Sequence, residues 1–401
     1  MTFTPRTRRL KLARYVPKMH ALARASSAPQ VRRFDPSALK RTPAQNASTP
    51  ACVVLHNQIV RALVLAVALA LLTVQPDIRA SQQNGPTVGV EASPPFDQWL
   101  ENLIQEAHNR GYSDELVGQT LAGLTPLPRV IQNDRAQAEL VVGFDRYYRA
   151  RINARFVQQG RELARRHSGL LSRMEDKYEV QRRFVLAIWG IETRYGRVKG
   201  NTPVFQALAT LAWEPRRSDF FRGELFDALT MVSNGHIDAA SMTGSWAGAM
   251  GQPQFMPSSY LKYAEDFDSD GRTDIWQSTP DALASIANYL GKWGWDDQYT
   301  WGREVRVTPA VRERIEKETE RRTEGCFAMR NMTERIPLTD WQRLGVRRVD
   351  GGALPKADVK AGLVTTDRRT FLVYENYDAI LRYNCAHYYA LTVALLADQI
   401  R

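Results

Sequence analysis

One carboxylate in this chain stands where an apolar side chain is expected. The run Phe184-Val185-Leu186-Ala187-Ile188-Trp189-Gly190-Ile191-Glu192-Thr193-Arg194-Tyr195 has the apolar spacing of a helix that faces a core. On that helix Glu192 shares a face with Val185, Ile188, Trp189 and Tyr195. A carboxyl group packed there loses water, and desolvation moves its pKa toward the range a general acid needs near neutral pH. A helical Glu at the wet edge of a wide apolar stripe would show the same pattern, so position alone does not settle its role.

Two later segments offer ligand chemistry. The stretch Gly244-Ser245-Trp246-Ala247-Gly248-Ala249-Met250-Gly251-Gln252-Pro253-Gln254-Phe255-Met256-Pro257-Ser258-Ser259-Tyr260 mixes small residues with hydrogen-bonding groups at Ser245, Gln254 and Tyr260. Small residues let a backbone approach a ligand closely, although a purely structural loop can have the same composition. In Asp266-Phe267-Asp268-Ser269-Asp270-Gly271-Arg272-Thr273-Asp274 the acids and the glycine follow the order of an EF-hand calcium loop. Asp266, Asp268, Asp270 and Asp274 put oxygen ligands at loop positions 1, 3, 5 and 9, with Gly271 at position 6, and Arg272 falls within the same loop. Gln277 stands where that loop carries a bidentate Glu, so Asp281 is the acid left to close the shell. The alternative is an Asp-rich turn without metal.

Helices have to carry most of these residues. From 96 to about 195 the apolar residues Trp99, Leu103, Ala107, Leu116, Leu121 and Leu124 recur at the three-to-four-residue spacing of amphipathic helices. Further helices are predicted at 181–195, closed by Gly196, and at 205–212, 220–232 and 280–293. Thr279 is the expected N-cap of the last, with Pro280 in its first turn. Residues 241–260 read as irregular. Segments 303–307 and 370–374 are β-prone between turn residues, which predicts a small sheet within 301–376. The expected class is mainly α (α+β). It comprises a helical catalytic region at 92–300 containing the Asp-rich loop at 266–281, a small β-containing subdomain at 301–376, and a C-terminal helix at 377–401 that returns to the core.

Charge separates this body from what precedes it. Residues 1–80 hold 13 of the 54 Lys and Arg residues but only Asp35 and Asp77 among 43 acids. The remainder balances to zero, which removes the basic face that a nucleic-acid partner would need. Residues 1–58 are rich in Arg, Ala, Ser and Pro and read as disordered. Arg61 and the apolar run 62–74, ended by Pro76, resemble the h-region of an export signal and fall short of a ~20-residue membrane span. The run lies deep in the chain, so translation is expected to start downstream of Met1, near 53–55; a long n-region or an uncleaved anchor is the alternative. Cys52 precedes the run and is not placed for lipid attachment. Cys326 and Cys385 remain after the leader, and an exported chain is compatible with a disulfide or with two thiols.

Taken in order, Asp134-Arg135-Ala136-Gln137-Ala138-Glu139, the Glu192 run, 245–260, the Asp-rich loop, Asp281–Leu290 and Arg382-Tyr383-Asn384 resemble the membrane-bound lytic transglycosylase B family. The similarity runs from about residue 96 to 401. It implies a lysozyme-like helical core with an extra helical subdomain, a small β subdomain and an EF-hand-like calcium site. It implies cleavage of the β-1,4 bond between N-acetylmuramic acid and N-acetylglucosamine in peptidoglycan, leaving 1,6-anhydromuramyl ends. Glu192 matches the catalytic acid/base, and Ser245, Gln254, Tyr289, Tyr383, Asn384 and Tyr389 match residues that line the sugar groove. Calcium at Asp266, Asp268, Asp270, Arg272 and Asp281 is the only cofactor implied. The expected partners are peptidoglycan glycan strands, with cell-wall synthesis or division proteins, acting on a periplasmic monomer. Two departures stand out: Gln277 in the loop, and Ala386 where the family often has Ser. The rival readings are a hydrolytic muramidase, which needs a second acid facing Glu192, and a non-catalytic glycan-binding protein, which would not need Glu192 at all.

Overall fold

The computed structural model describes residues 94–135 and 143–400. The basic segment, Cys52 and the apolar run 62–74 lie outside the described residues, as do residues 136–139 of the first motif.

The fold is built around the helix Arg182–Thr193, in which every residue from Phe184 to Gly190 is buried. An unbroken apolar run gives that helix no wet side, so it needs neighbours all round. They are the C-terminal helix His387–Ile400, itself apolar on nearly every face, the helices Ala154–Arg166 and Ser168–Tyr178, and the helix Thr279–Lys292. A second apolar cluster forms where the helices Val204–Trp213 and Ser218–Ser233 pack on each other and on the N-terminal helices Phe96–Asn109 and Asp114–Thr120. Met250, Phe255, Ile275 and Trp276 from the loop regions complete that cluster.

The sheet predicted within 301–376 is five-stranded and antiparallel. Its strands are β3 (Gly302–Arg306), β4 (Ile336–Pro337), β5 (Arg347–Arg348), β6 (Lys360–Thr365) and β7 (Thr370–Val373), in the order β4-β6-β7-β3-β5. Side chains alternate across a strand. Phe371 and Val373 of β7 accordingly join the core of the Glu192 helix, while Leu372 joins a separate cluster with Trp341, Leu338 and Ala361. A further pair, β1 (Thr202–Pro203) with β2 (Thr243–Gly244), leads into the Gly-rich stretch.

Four expectations need correction. The segment 301–376 contains three helices besides its strands: Pro309–Glu318 and Leu338–Leu344 cover the outer face of the sheet through Ile315, Leu338 and Trp341, and Phe327–Arg330 joins the core of the Glu192 helix through Ala328 and Met329. The N-cap of Thr279–Lys292 is Ser278, whose hydroxyl accepts the Asp281 N–H at 3.2 Å, and not Thr279. The stretch 241–260 is not irregular throughout, since it holds β2 and the start of the helix Pro257–Tyr263. The single helix expected at 377–401 is two, Asn376–Tyr383 and His387–Ile400, separated where Asn384 turns extended.

That break holds a covalent tie. Cys385 is joined by a disulfide to Cys326, with Cα atoms 6.2 Å apart, which settles the open pairing. The bridge spans a separation of 59 residues and secures the connection between the last two helices to the segment before Phe327. Closing a loop of that length restricts the unfolded chain by about 4 kcal/mol on chain-entropy grounds. The double substitution Cys326→Ser with Cys385→Ser is therefore expected to lower the thermal and denaturant midpoints by a clearly resolved amount. Unchanged midpoints in a protein shown to be oxidised beforehand would contradict this.

Candidate active site

The Glu192 helix ends in an abrupt reversal. Arg194, Tyr195 and Gly196 all have positive φ, at 52°, 62° and 78°. Glu192 lies in the last turn before this reversal and is half-buried, less enclosed than its apolar face suggests. Its Oε1 accepts a 2.5 Å hydrogen bond from the Tyr389 hydroxyl, a contact that reaches across 197 residues of sequence. Tyr389 is buried on the facing helix His387–Ile400. Burial, and then the negative charge of Glu192, push the Tyr389 phenol well above its ordinary pKa, so it remains a donor.

Tyr383 is held beside the same carboxylate. Burial raises its pKa first and the charge of Glu192 second. Its hydroxyl is spent on the backbone, donating to the Pro253 carbonyl at 2.6 Å. Tyr289 behaves likewise, donating to the Arg382 carbonyl at 2.6 Å. The two rings meet with centroids 4.8 Å apart, and Tyr263 and Phe255 close around Tyr289. With both hydroxyls held by backbone carbonyls, the rings of Tyr289 and Tyr383 pack together as an aromatic floor beside Glu192. Trp293 extends it: this residue is 40% exposed, packs beside Tyr289, and lies under the Arg382 guanidinium. Sequence reasoning missed Trp293; the signal available was an exposed aromatic at a helix C-terminus.

The remaining groove candidates fall into two classes. Asn384 is exposed in the break between the last two helices. Ser245 and Gln254 organise backbone. The Ser245 hydroxyl accepts the N–H groups of Ala247 and Ala249, at 3.3 and 3.1 Å. Gln254, whose φ of 53° is unusual for a residue with a side chain, donates to the carbonyls of Gly251 and Lys199 at 2.9 and 3.1 Å.

A second polar group missed from sequence is Gln252. Only 4% exposed, it accepts the Trp189 indole N–H at 2.9 Å, while its carbonyl accepts the Thr193 hydroxyl, also at 2.9 Å. Both partners belong to the Glu192 helix.

The Asp-rich loop gathers Asp266, Asp268 and Asp270, each with a carboxylate oxygen within 4.8 Å of the others. Three hard oxygen donors at that spacing fit a divalent cation such as calcium. Asp281 does a different job. It is fully buried, and its two oxygens accept the N–H groups of Phe267 and Asp274 at 2.8 and 2.9 Å, pinning the two arms of the loop together. Asp274 turns inward too, accepting from Trp276 and Gln277 at 2.8 Å. Arg272 places its N–H on the Asp270 carboxylate at 2.8 Å.

Known proteins share this mainly helical fold with its small antiparallel sheet. The family model described as "Transglycosylase SLT domain" matches residues 95–398. Membrane-bound lytic murein transglycosylase B of Escherichia coli is 33% identical over 261 residues, which cover 64% of this chain and 66%, just under two thirds, of that protein. The structure of SltB3 from Pseudomonas aeruginosa in complex with NAG-anhNAM-pentapeptide matches with a TM-score of 0.67 at 39% identity, covering 76% of this chain and 79% of that one. Slt35 of Escherichia coli in complex with calcium matches with a TM-score of 0.64 at 28% identity, covering 82% of this chain and 98% of that one. A mainly helical fold with a small antiparallel sheet, an acid set against a tyrosine, and a family match over nearly all the described residues lead to one conclusion: this chain belongs to the transglycosylase SLT domain family.

Proposed function

We propose that this protein is a lytic transglycosylase that cleaves the β-1,4 bond between N-acetylmuramic acid and N-acetylglucosamine of peptidoglycan, with Glu192 as its single acid and base. The observation that carries this reading is the 2.5 Å bond from Tyr389 to Glu192 beside an aromatic floor. Aromatic rings suit the apolar faces of a neutral sugar. The relative crystallised with NAG-anhNAM-pentapeptide supports the same substrate class.

The chemistry follows from one carboxyl group. Glu192 in its acid form gives its proton to the glycosidic oxygen as the bond to the muramyl C1 breaks. The C6 hydroxyl of that sugar then attacks C1, and its proton passes to the Glu192 carboxylate, which restores the acid. The new C6–O–C1 ether is the 1,6-anhydro ring. Tethered to the reacting sugar, the C6 hydroxyl has an effective concentration that free water lacks. A hydrolase would need a second group to activate water. Tyr389 engages Oε1 of the same carboxyl group that carries the transferable proton. As that proton leaves, charge develops on the carboxylate and the Tyr389 bond strengthens, which makes it worth more in the transition state than in the ground state.

Calcium in the loop 266–274 is part of this reading, supported by the Asp266, Asp268 and Asp270 group and by the calcium complex of the Escherichia coli relative. The ion would hold the loop whose far end leads into Ile275 and Trp276. We also place the protein in the periplasm as a monomer acting on glycan strands. Among the described residues no helix is long and apolar enough to cross a membrane.

Glu192→Gln keeps the shape of the side chain and removes the transferable proton, so sacculus digestion should fall by at least the ~10²–10⁴ typical of acid–base catalysis. Near-normal digestion by a folded variant would refute the assignment. Tyr389→Phe deletes one hydrogen bond to a charged group, worth about 1.5–3 kcal/mol, and should reduce kcat roughly 10- to 100-fold. Unaltered kcat would show that the Tyr389 bond does not contribute to the reaction. Calcium at 100 times its dissociation constant should stabilise the protein by about 2.7 kcal/mol, visible as a higher melting temperature than in chelator. Asp268→Ala should abolish that shift; identical melting of the unsubstituted protein in both conditions would exclude the site.

A further inference from the structure

We propose that Gln252 is a positioning residue for Glu192, fixing the end of the catalytic helix against the loop that carries the groove. The inference rests on the role of Glu192 given above.

The contacts converge on the two residues that flank Glu192 on its helix. Trp189 precedes it by three positions, and its indole N–H donates to Gln252 Oε1 at 2.9 Å. Thr193 follows it directly, and its hydroxyl donates to the Gln252 carbonyl at 2.9 Å while accepting the Gly196 N–H at 3.1 Å. The other groups of Gln252 face away from the helix. Its N–H donates to the Ile275 carbonyl at 2.8 Å, and its side-chain amide makes a longer 3.4 Å contact with the Trp276 carbonyl. One buried residue thus ties three segments together: the helix end, the Gly-rich strap and the exit of the Asp-rich loop.

The surroundings are shaped to hold it. A Cβ at Gly196 would lie 2.6 Å from Gln252 Oε1, and one at Gly251 would lie 2.7 Å from the Ile275 carbonyl oxygen. Both glycines also have positive φ, so neither position tolerates a side chain in this conformation. The strap then passes to its neighbours: Pro253 accepts from Tyr383, and Gln254 donates to Lys199, whose ammonium in turn donates to the Trp276 carbonyl at 2.8 Å. Gln252 is therefore where the position of Glu192 is referred to the aromatic floor. Proton transfer to a bound glycosidic oxygen is sensitive to displacements of about 1 Å, whereas binding along an extended groove is not. Loss of the Gln252 contacts should lower kcat and leave KM nearly unchanged.

Gln252→Met preserves volume and removes both side-chain hydrogen bonds. Trp189→Phe removes the indole donor from the other side and keeps an aromatic ring in the core. On a soluble peptidoglycan fragment each folded variant should lose on the order of 10- to 100-fold in kcat with KM within about twofold. The double variant should be no slower than the worse single one, because both remove the same contact. Should Gln252→Met fail to fold, Trp189→Phe alone carries the test. Wild-type kcat in either folded variant, a loss confined to KM, or losses that multiply in the double variant would overturn the proposal. An active Glu192→Gln would remove the reading beneath it; an inactive one beside a fully active Gln252→Met would remove this inference alone.

Discussion

Burial of the Arg182–Thr193 helix is the constraint on which the rest depends. Its side chains from Phe184 to Gly190 have no contact with water, so helices must surround it and the sheet must supply Phe371 and Val373 to the same core. A helix packed on all sides cannot slide or rotate without opening voids, and voids in a close-packed interior are costly. Glu192 inherits that rigidity while sitting in the last turn, where the helix is only half-buried. There the Tyr389 hydroxyl gives its carboxyl group a hydrogen-bond donor.

Rigidity of the acid has value only if its surroundings are equally fixed. Tyr389 gains it from the apolar helix His387–Ile400, and the disulfide at Cys385 anchors the connection just before that helix. Tyr289 and Tyr383 gain it by giving their hydroxyls to backbone carbonyls and packing their rings together. The polar atoms of Ser245 and Gln254 are used the same way, on the turns of their own strap. Several of the hydroxyls and amides expected to bind sugar thus hold backbone in place.

Local signals in the sequence carried the parts of this arrangement that are themselves local. The 3.6-residue period located the helices at 182–193, 204–213 and 218–233 to within two residues, because amphipathic packing writes that period directly. The singular placement of Glu192 was legible for the same reason. Long-range relationships were not. Tyr389 meets Glu192 across 197 residues, and Gln252 meets Trp189 across 63. Nothing in either local pattern distinguishes a glutamine that clamps a helix from one that faces solvent. The break at 384–386 was hidden because Tyr377 to Ile400 is continuously helix-compatible, and only the partner at Cys326 explains why the chain turns there. Asp281, expected at a metal, accepts backbone N–H groups from both arms of the loop, a role visible only once the loop is folded.

The central claim is that one carboxyl group, acting in turn as acid and base, directs the sugar's own C6 hydroxyl to the broken bond. Mass spectrometry of the muropeptides released from purified sacculi tests this most directly. The account predicts anhydromuramyl ends, each one water lighter, about 18 Da, than the hydrolysed counterpart, as expected when an intramolecular hydroxyl outcompetes solvent. Products dominated by reducing muramyl ends would contradict it and would require a second catalytic acid in the groove.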